Sequence, residues 1–368
     1  MKVAITGGHH SSAVPVIKEL KKLDPNVTIW WFGHKYSLKG DKNPTLEYLD
    51  ITALDIKFIN LHAGKVYKTF DITRLLKVPY GFFEALSYLS KFKPDVIVSF
   101  GGYLAVPVVV AGWFLGIPSI THEQTLVAGY ANKVISRFVN KIFISWPQSQ
   151  KYFDESKVEY SGLPIREDVY TVSSNNFELD TSLPTIYVTA GKTGSHKMNE
   201  VVKGILPELL NISNVIMQCG DNSVFNDYDA ILNNYKSLAV NCKGKFYLRK
   251  FVRDDEIGEV FNKSDLLISR SGAHIISEIL LLQKPAILIP ISWVSHNEQY
   301  INAQYVKDVG LGIILEEKNF TCENLLDTIK ETLKNLANYK IKSHFIPENK
   351  ASPQEVIAHE IIKYKVTK

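Results

Sequence analysis

The sequence predicts an α/β protein built from two doubly wound, parallel-sheet domains that face one another across a cleft. Three observations predict it. Short runs rich in Val, Ile and Phe alternate with stretches of helical spacing along most of the chain, the pattern of a parallel sheet with helical crossovers. The series stops near mid-chain and restarts at Thr185, and each half carries glycine turns directly after strands. The length, 368 residues, exceeds what one hydrophobic core holds comfortably.

Bulk properties narrow the function. The chain is 45% hydrophobic and 22% charged, a globular composition that excludes disorder. A formal net charge of +4 is too small to argue for nucleic acid, and no nucleic-acid partner is expected. Cys219, Cys242 and Cys322 are widely spaced. They suit a reducing cytoplasm and form neither a disulfide framework nor a zinc pattern. Met1 runs straight into a strand, so no signal peptide is expected. The longest apolar run, Leu104 to Ile120, is broken by Pro107, Gly112, Gly116 and Pro118. It falls short of the ~20 apolar residues of a spanning helix, so any membrane role is expected to be peripheral.

Taken in order, Lys2 to Thr6 reads as a strand, Gly7-Gly8-His9-His10-Ser11-Ser12 as a turn, and Val14 to Leu20 as a helix. Two glycines let backbone approach a ligand closely, although the G-x-G-x-x-G fingerprint is absent. Val27 to Phe32 and Ile56 to Leu61 are further strands. Lys65 to Lys93 interleaves aromatic and aliphatic residues (Tyr67, Phe70, Tyr80, Phe82, Phe83) with Lys65, Lys68, Arg74, Lys77, Lys91 and Lys93. That mixture suits a membrane interface. It also suits the commoner case, a core-facing amphipathic helix with a solvated basic rim.

Asp95 to Phe100 is a strand, Gly101-Gly102-Tyr103 a second glycine turn, and Val106 to Trp113 a helix. Ser119 to Thr121 is a strand ending in His122-Glu123-Gln124-Thr125. Polar residues at the carboxyl end of a parallel strand are where open α/β sheets place ligands. His122 also fits a structural role, and Glu123 either orients an imidazole or binds substrate. Lys141 to Ser145 reads as the last strand of the first half, and Gln148 to Glu159 as an exposed link.

In the second half Thr185 to Thr189 is a strand, followed by Ala190-Gly191-Lys192-Thr193-Gly194-Ser195 and a helix from Lys197. This turn lacks the spacing of a P-loop. Val215 to Cys219 and Lys245 to Leu248 are strands, the latter followed by Phe251-Val252-Arg253. Asp265 to Ile268 leads into Ser269-Arg270-Ser271-Gly272-Ala273-His274-Ile275-Ile276-Ser277-Glu278. There the predicted arrangement is a strand, a tight turn, and a helix over Ala273 to Gln283 with Ser271 as N-cap. Free N–H groups at that helix start make an anion site, and Glu278, one turn on from His274, can accept from two ribose hydroxyls. An ordinary βα unit with an exposed glutamate fits the same letters. Pro285 to Pro290 is a strand, and Asn319 to Leu336 and Pro353 to Tyr364 are helices. Asp227-Tyr228-Asp229 imitates a D-x-D metal signature but follows Asn226 in a polar loop and reads as chance. No metal and no cofactor are expected.

Several stretches, in order and over nearly the whole chain, resemble the MurG-type N-acetylglucosaminyltransferases of glycosyltransferase family 28. They are Ser99-Phe100-Gly101-Gly102-Tyr103, Gly116-Ile117-Pro118, His122-Glu123-Gln124, Gly129 with Asn132, Gly162 to Arg166, Gly191 with Gly194, Ser269 to Glu278, and Gln299 with Asn302-Ala303. The resemblance implies two Rossmann-like domains of the GT-B type. The expected boundaries are 1–163 for an acceptor domain facing the membrane, 164–340 for a donor domain, and 341–368 for a helix returning to the first.

It also implies an inverting transfer of N-acetylglucosamine from its UDP form to undecaprenyl-diphospho-muramoyl-pentapeptide, a peptidoglycan step on the cytoplasmic face of the plasma membrane. The alternatives are a related GT-B transferase for another lipid carrier, or a non-catalytic UDP-sugar-binding subunit. Carried over residue by residue, His9 is the acceptor-side base, with His10 as its rival. Arg166, Gly191, Lys192, Val252, Ser271, Gly272, Ala273, Glu278, Gln299 and Asn302 face the donor. Gly7, Gly8, His10, Gly101, Gly102, Tyr103, Glu123 and Thr125 face the acceptor. A backbone N–H and C=O at Val252 read uracil, and Arg166 and Lys192 meet the diphosphate. The chain departs from the family in a shorter first glycine loop, in Thr125 and Leu163 where asparagine is usual, and in Lys192 where serine is usual.

Overall fold

Parallel sheets carry both halves of the chain. In the computed structural model residues 1–36, 44–64, 72–191, 194–222, 224–238, 242–291, 297–341 and 351–365 are described, residues 72–78 by backbone alone. The chain divides into two compact units, Met1–Arg166 with Glu348–Lys368, and Glu167–Pro347.

The first unit holds strands β1 (Lys2–Thr6), β2 (Thr28–Gly33), β3 (Lys57–Asn60), β4 (Val96–Ser99), β5 (Ser119–Glu123), β6 (Lys141–Ile144) and β7 (Val158–Tyr160). Their order is β3-β2-β1-β4-β5-β6-β7, and every pairing is parallel. β4 is buried along its whole length, which is why Val96-Ile97-Val98 reads as an unbroken apolar run, and β5 is buried as deeply although Ser119, Thr121, His122 and Glu123 are polar. Helices α1 (His10–Leu23), α2 (Leu46–Thr52), α3 (Ile72–Phe92), α4 (Ala105–Phe114) and α5 (Tyr130–Ile135) cover the sheet. The terminal helix, Pro353–Ile362, starts from a Ser352–Glu355 capping box. It packs on the α1 side of this sheet, with Ile357, Ala358 and Ile361 in the core beside Val16, Ile17 and Leu20. Full burial is worth roughly 1.5–3 kcal/mol for each of the two isoleucines. Lys141 adds an ion pair to Glu360 at 3.1 Å.

The second unit holds β8 (Thr185–Thr189), β9 (Asn214–Gln218), β10 (Phe246–Arg249), β11 (Leu266–Ser269), β12 (Ala286–Leu288) and β13 (Gly312–Ile314), in the order β10-β9-β8-β11-β12-β13, again all parallel. Helices α6 (His196–Gly204), α7 (Leu206–Ile212), α8 (Asp227–Leu238), α9 (Asp254–Lys263), α10 (Ala273–Leu282), α11 (Glu298–Val309) and α12 (Cys322–Lys334) complete it. Buried Glu259 on α9 fastens the entering segment. Its carboxylate accepts from Ser174 Oγ (2.5 Å), Asn176 N (2.7 Å), Phe177 N (3.0 Å) and Lys263 Nζ (2.7 Å). Burial pushes this carboxyl up, but those donors outweigh it and bring it to about 2.

Each sheet reverses its strand order once, between β1 and β4 and between β8 and β11. Such switch points open a crevice at the carboxyl ends of the two strands. Both halves therefore put their glycine turns at the same architectural place.

Two expectations are corrected. Gln148 to Glu159 is not an exposed link: it holds two 3-10 turns and leads into β7, which pairs with β6. A three-residue edge strand flanked by lysines and glutamates carries too little apolar pattern to be read in advance. The helix after β11 is capped by Gly272, not Ser271, and without a side-chain bond to its first turn. The Ser271 hydroxyl instead donates to the Gln299 carbonyl at 2.7 Å.

Candidate functional site

At the switch point of the first unit, the turns after β1 and β4 interlock. Gly8 N–H donates to Gly101 O at 3.0 Å. Gly7 has φ +140°, and a Cβ there would lie 2.8 Å from the Phe100 carbonyl carbon. A Cβ on Gly102, at φ +81°, would lie 2.9 Å from the Gly8 nitrogen. Only glycine permits both the conformation and the approach. The structure thus brings Gly7, Gly8, Gly101 and Gly102 together.

His9 forms the N-cap of α1 without a side-chain cap bond and is half-buried. Burial first, and neighbouring His10 second, push it down to about 4, so the imidazole is neutral at pH 7. His10 is engaged by Asp50 at 3.0 Å. Tyr103 is half-buried, its ring 5.7 Å from that of His34.

Glu123 and Thr125 are committed within the chain. The buried Glu123 carboxylate accepts from Thr125 N (2.9 Å) and Oγ1 (2.7 Å), from Gly129 N (3.1 Å) and from Asn132 Nδ2 (3.0 Å). Burial pushes its carboxyl up, opposed by those bonds. Glu123 shapes the loop after β5 and holds Asn132 against Gly101. His122 lies inside the fold, its Nε2 at 3.2 Å from Gly162 O and 3.0 Å from Ser145 Oγ. Its Nδ1 is buried without a partner among the described residues, and burial lowers this imidazole to about 4. The carbonyl of Gly162 requires the proton on Nε2.

Sequence reasoning missed Glu47. Its Oε1 accepts from the buried Trp31 indole at 2.6 Å, directly over Gly33, where any side chain would collide with it. Burial pushes this carboxyl up to about 7. A glycine closing a strand of bulky residues was the available signal.

In the second unit the turn after β8 and the start of α10 flank the other switch point. A Cβ on Gly191 or Gly272 would meet no atom of the described residues within 4 Å, so among these residues both positions are open on that side. No side chain caps α10, so the N–H groups of its first turn, from Ala273 on, are not tied by a side-chain cap, an arrangement that suits an anion. Glu278 is half-buried one turn beyond His274 on α10. Gln299 and Asn302 each engage the backbone through one side-chain atom, and Asn302 Oδ1 is buried with no partner among the described residues. Gln299 Oε1 accepts from Ile291 N (3.1 Å), and Asn302 Nδ2 donates to Ser271 O (2.9 Å). Val252 is buried and its N–H, expected to read a base, donates to Gln218 Oε1 at 2.8 Å. Lys192 lies outside the described residues. Arg166, half-buried, is the last residue of the first unit.

Among the described residues, His196, Glu200 and Asp227 are a group close enough to share a metal, with ligand atoms within 4.8 Å of one another. Asp227 already accepts from His196 Nδ1 (2.6 Å) and Asn199 Nδ2 (2.7 Å), and Glu200 pairs with Lys203. Residues 227–229 open α8 and do not lie in the polar loop expected, and Asp227 ties that helix to α6.

Comparison with known proteins follows the same division. Residues 5–144 match the glycosyltransferase family 28 N-terminal domain and residues 185–361 the glycosyltransferase family 28 C-terminal domain. A Clostridium perfringens protein named UDP-N-acetylglucosamine–N-acetylmuramyl-(pentapeptide) pyrophosphoryl-undecaprenol N-acetylglucosamine transferase is 34% identical over 352 residues, 92% of each chain. A Bacillus anthracis protein of that name, numbered 2, is 32% identical over 92% of this chain and 93% of its own. Among solved structures, Acinetobacter baumannii MurG superposes with a TM-score of 0.72 at 24% identity, over 98% of this chain and 99% of that one, a likeness of fold.

Proposed function

The chain belongs to glycosyltransferase family 28 through both of its units, and from that premise we propose that it makes the transfer its relatives are named for. N-acetylglucosamine passes from UDP-N-acetylglucosamine to the undecaprenyl-diphosphate-linked N-acetylmuramyl pentapeptide, the step from lipid I to lipid II. The observation that carries this is the doubled architecture. Each sheet carries glycine turns at its switch point, interlocked backbone to backbone in the first unit and open at Gly191 and Gly272 in the second, and the acidic Glu278 lies on the helix that follows Gly272.

The acceptor diphosphate belongs to the first unit and the UDP-sugar to the second. An acceptor hydroxyl oxygen bonds to the anomeric carbon as the bond to the UDP oxygen breaks, with inversion. The hydroxyl proton passes to the neutral His9 imidazole. The departing diphosphate charge is met by the N–H groups and positive dipole end of α10. Purified protein given labelled UDP-N-acetylglucosamine and lipid I should yield labelled lipid II. Binding of UDP with no product would leave a non-catalytic subunit. Product only with another lipid-linked sugar would move the chain to a related transferase.

The membrane side of this reading rests on the first unit. Tyr80, Phe83, Trp113 and Phe114 are more than half exposed on α3 and α4, and Leu115 continues the patch. Phe82 stands edge-on to Phe83 and Phe114, and Trp113 to Phe138. Trp113 also borders a groove of about 530 Å³ that includes Arg137 and Lys157. Rings beside cations suit the headgroup layer of an anionic leaflet. Among the described residues no helix is long and apolar enough to cross a membrane. Peripheral association with the cytoplasmic face fits both facts. Replacing Trp113 and Phe114 by serine should lower co-sedimentation with phosphatidylglycerol vesicles about tenfold, from the lost apolar burial. Unchanged sedimentation would place the membrane contact elsewhere.

A further inference from the structure

Two buried polar side chains grip opposite ends of the glycine turn after β8. Gln218, the last residue of β9, is 8% exposed. Its Nε2 donates to Gly191 O at 2.9 Å and to Thr189 Oγ1 at 3.3 Å, while its Oε1 accepts from Val252 N at 2.8 Å. Arg270 follows β11 and is 7% exposed. Its Nη2 donates to Ser195 Oγ at 3.1 Å and to Glu317 Oε1 at 2.9 Å, and its Nη1 to Ile289 O at 3.1 Å. Between them, Gly194 sits at φ +70° against the Cys219 backbone, so closely that a Cβ would strike the Cys219 carbonyl. Gly194 N also donates to Gly191 O at 3.2 Å.

We propose that Gln218 and Arg270 are positioning residues that preorganise this turn for a nucleoside diphosphate, Arg270 from its Ser195 end and Gln218 from its Gly191 end, with Gln218 also setting the spacing between the phosphate turn and the Val252 segment. This rests on the donor-site reading above. Folding stability alone does not account for Arg270. Its Nε is buried with no partner among the described residues, and an unmet buried donor is costly. A buried ion pair of the kind it makes with Glu317 does no better than well-packed apolar residues. What the guanidinium supplies and a methionine would not is a directed bond to Ser195, held in register with the ends of β11 and β12. Turn ends held at Gly191 and Ser195 before the ligand arrives lower the ordering cost of binding, and the gain appears as affinity. The Gln218 amide has a second consequence: one rigid group joins the two segments that meet opposite ends of the nucleotide.

The test uses the full chain, with UDP titrated calorimetrically and amide exchange followed in residues 189–199 without ligand. Arg270→Met and Gln218→Glu should each weaken UDP about tenfold, raise the donor KM and leave the acceptor KM unchanged. Gln218→Glu keeps the acceptor for Val252 N but loses the donor to Gly191 O, so it isolates the turn end of the clamp. Arg270→Lys should recover part of the loss. Exchange in the turn should quicken in both variants, and the double variant should lose less than the product of the two, since both hold one turn. UDP affinity within twofold of wild type in folded Arg270→Met, or faster exchange with affinity intact, would overturn the proposal. If Arg270→Met fails to fold, Arg270→Lys and Gln218→Glu carry the same comparison. Wild-type protein that does not bind UDP at all would instead remove the donor site itself, whatever the exchange data show.

Discussion

Replacing His9 by alanine should lower kcat by about 10²–10⁴-fold while UDP affinity stays at the wild-type value, the signature of a lost general base and not of a lost binding group. Among the three histidines near the first glycine turns, His9 alone combines partial exposure with a ring that no hydrogen bond, ion pair or ring contact among the described residues engages. His10 is held by Asp50, and His122 is buried with Nε2 engaged by Gly162 and Ser145. The pH profile sharpens the test. With His9 lowered to about 4, the neutral base persists well below the usual histidine range. The acid limb of kcat/KM should therefore fall near pH 4 and not near 6.5. The same shift acts on stability with a definite sign. An unfolded histidine takes up a proton near 6.5, whereas folded His9 and His122 resist it until about 4. Stability is thus undiminished above 6.5 and declines as the pH falls from there to 4. Circular dichroism across that window separates loss of the fold from loss of the base. A His9→Ala protein with kcat within threefold of wild type would take His9 out of the chemistry.

Glu278→Ala should raise the donor KM and the UDP dissociation constant about 100-fold, since each hydrogen bond to an ionised carboxylate contributes roughly 1.5–3 kcal/mol and a ribose offers two hydroxyls. Glu278→Gln, which keeps one acceptor oxygen, should recover part of this. The decisive comparison is between UDP and 2′-deoxy-UDP. Wild-type protein should bind the deoxy form more weakly, and Glu278→Ala should bind the two alike. A variant that still discriminates between them would place the ribose elsewhere. On the donor-site reading proposed above, the helix that carries Glu278 would also offer its N–H groups after Gly272 to phosphate, so one rigid element would serve both ends of the ligand.

The positions where sequence reasoning and structure part company share a cause. Ser271 has the chemistry of an N-cap, but a serine hydroxyl takes whichever partner the tertiary arrangement offers, here the Gln299 carbonyl. Glu123 stands at a strand end where ligands bind, and nothing in the linear order reveals that Thr125, Gly129 and Asn132 turn their donors back onto it. The linear order gives Gln218 and Arg270 no role of their own because their partners, Gly191 and Val252 for one and Ser195, Ile289 and Glu317 for the other, are 19 to 75 residues away. β7 was missed for a different reason: three residues carry too little periodicity.

The linear order by itself determined the two parallel βα series, the glycine turns after β1, β4 and β8, and the helix that begins after Gly272, because these depend on local pattern and on backbone room that only glycine leaves. Tertiary structure alone decided the commitments of the polar side chains. Whether a carboxylate or an imidazole is open to a ligand or spent on the fold depends on which distant donors and acceptors the sheet brings beside it, and on how far burial moves its proton.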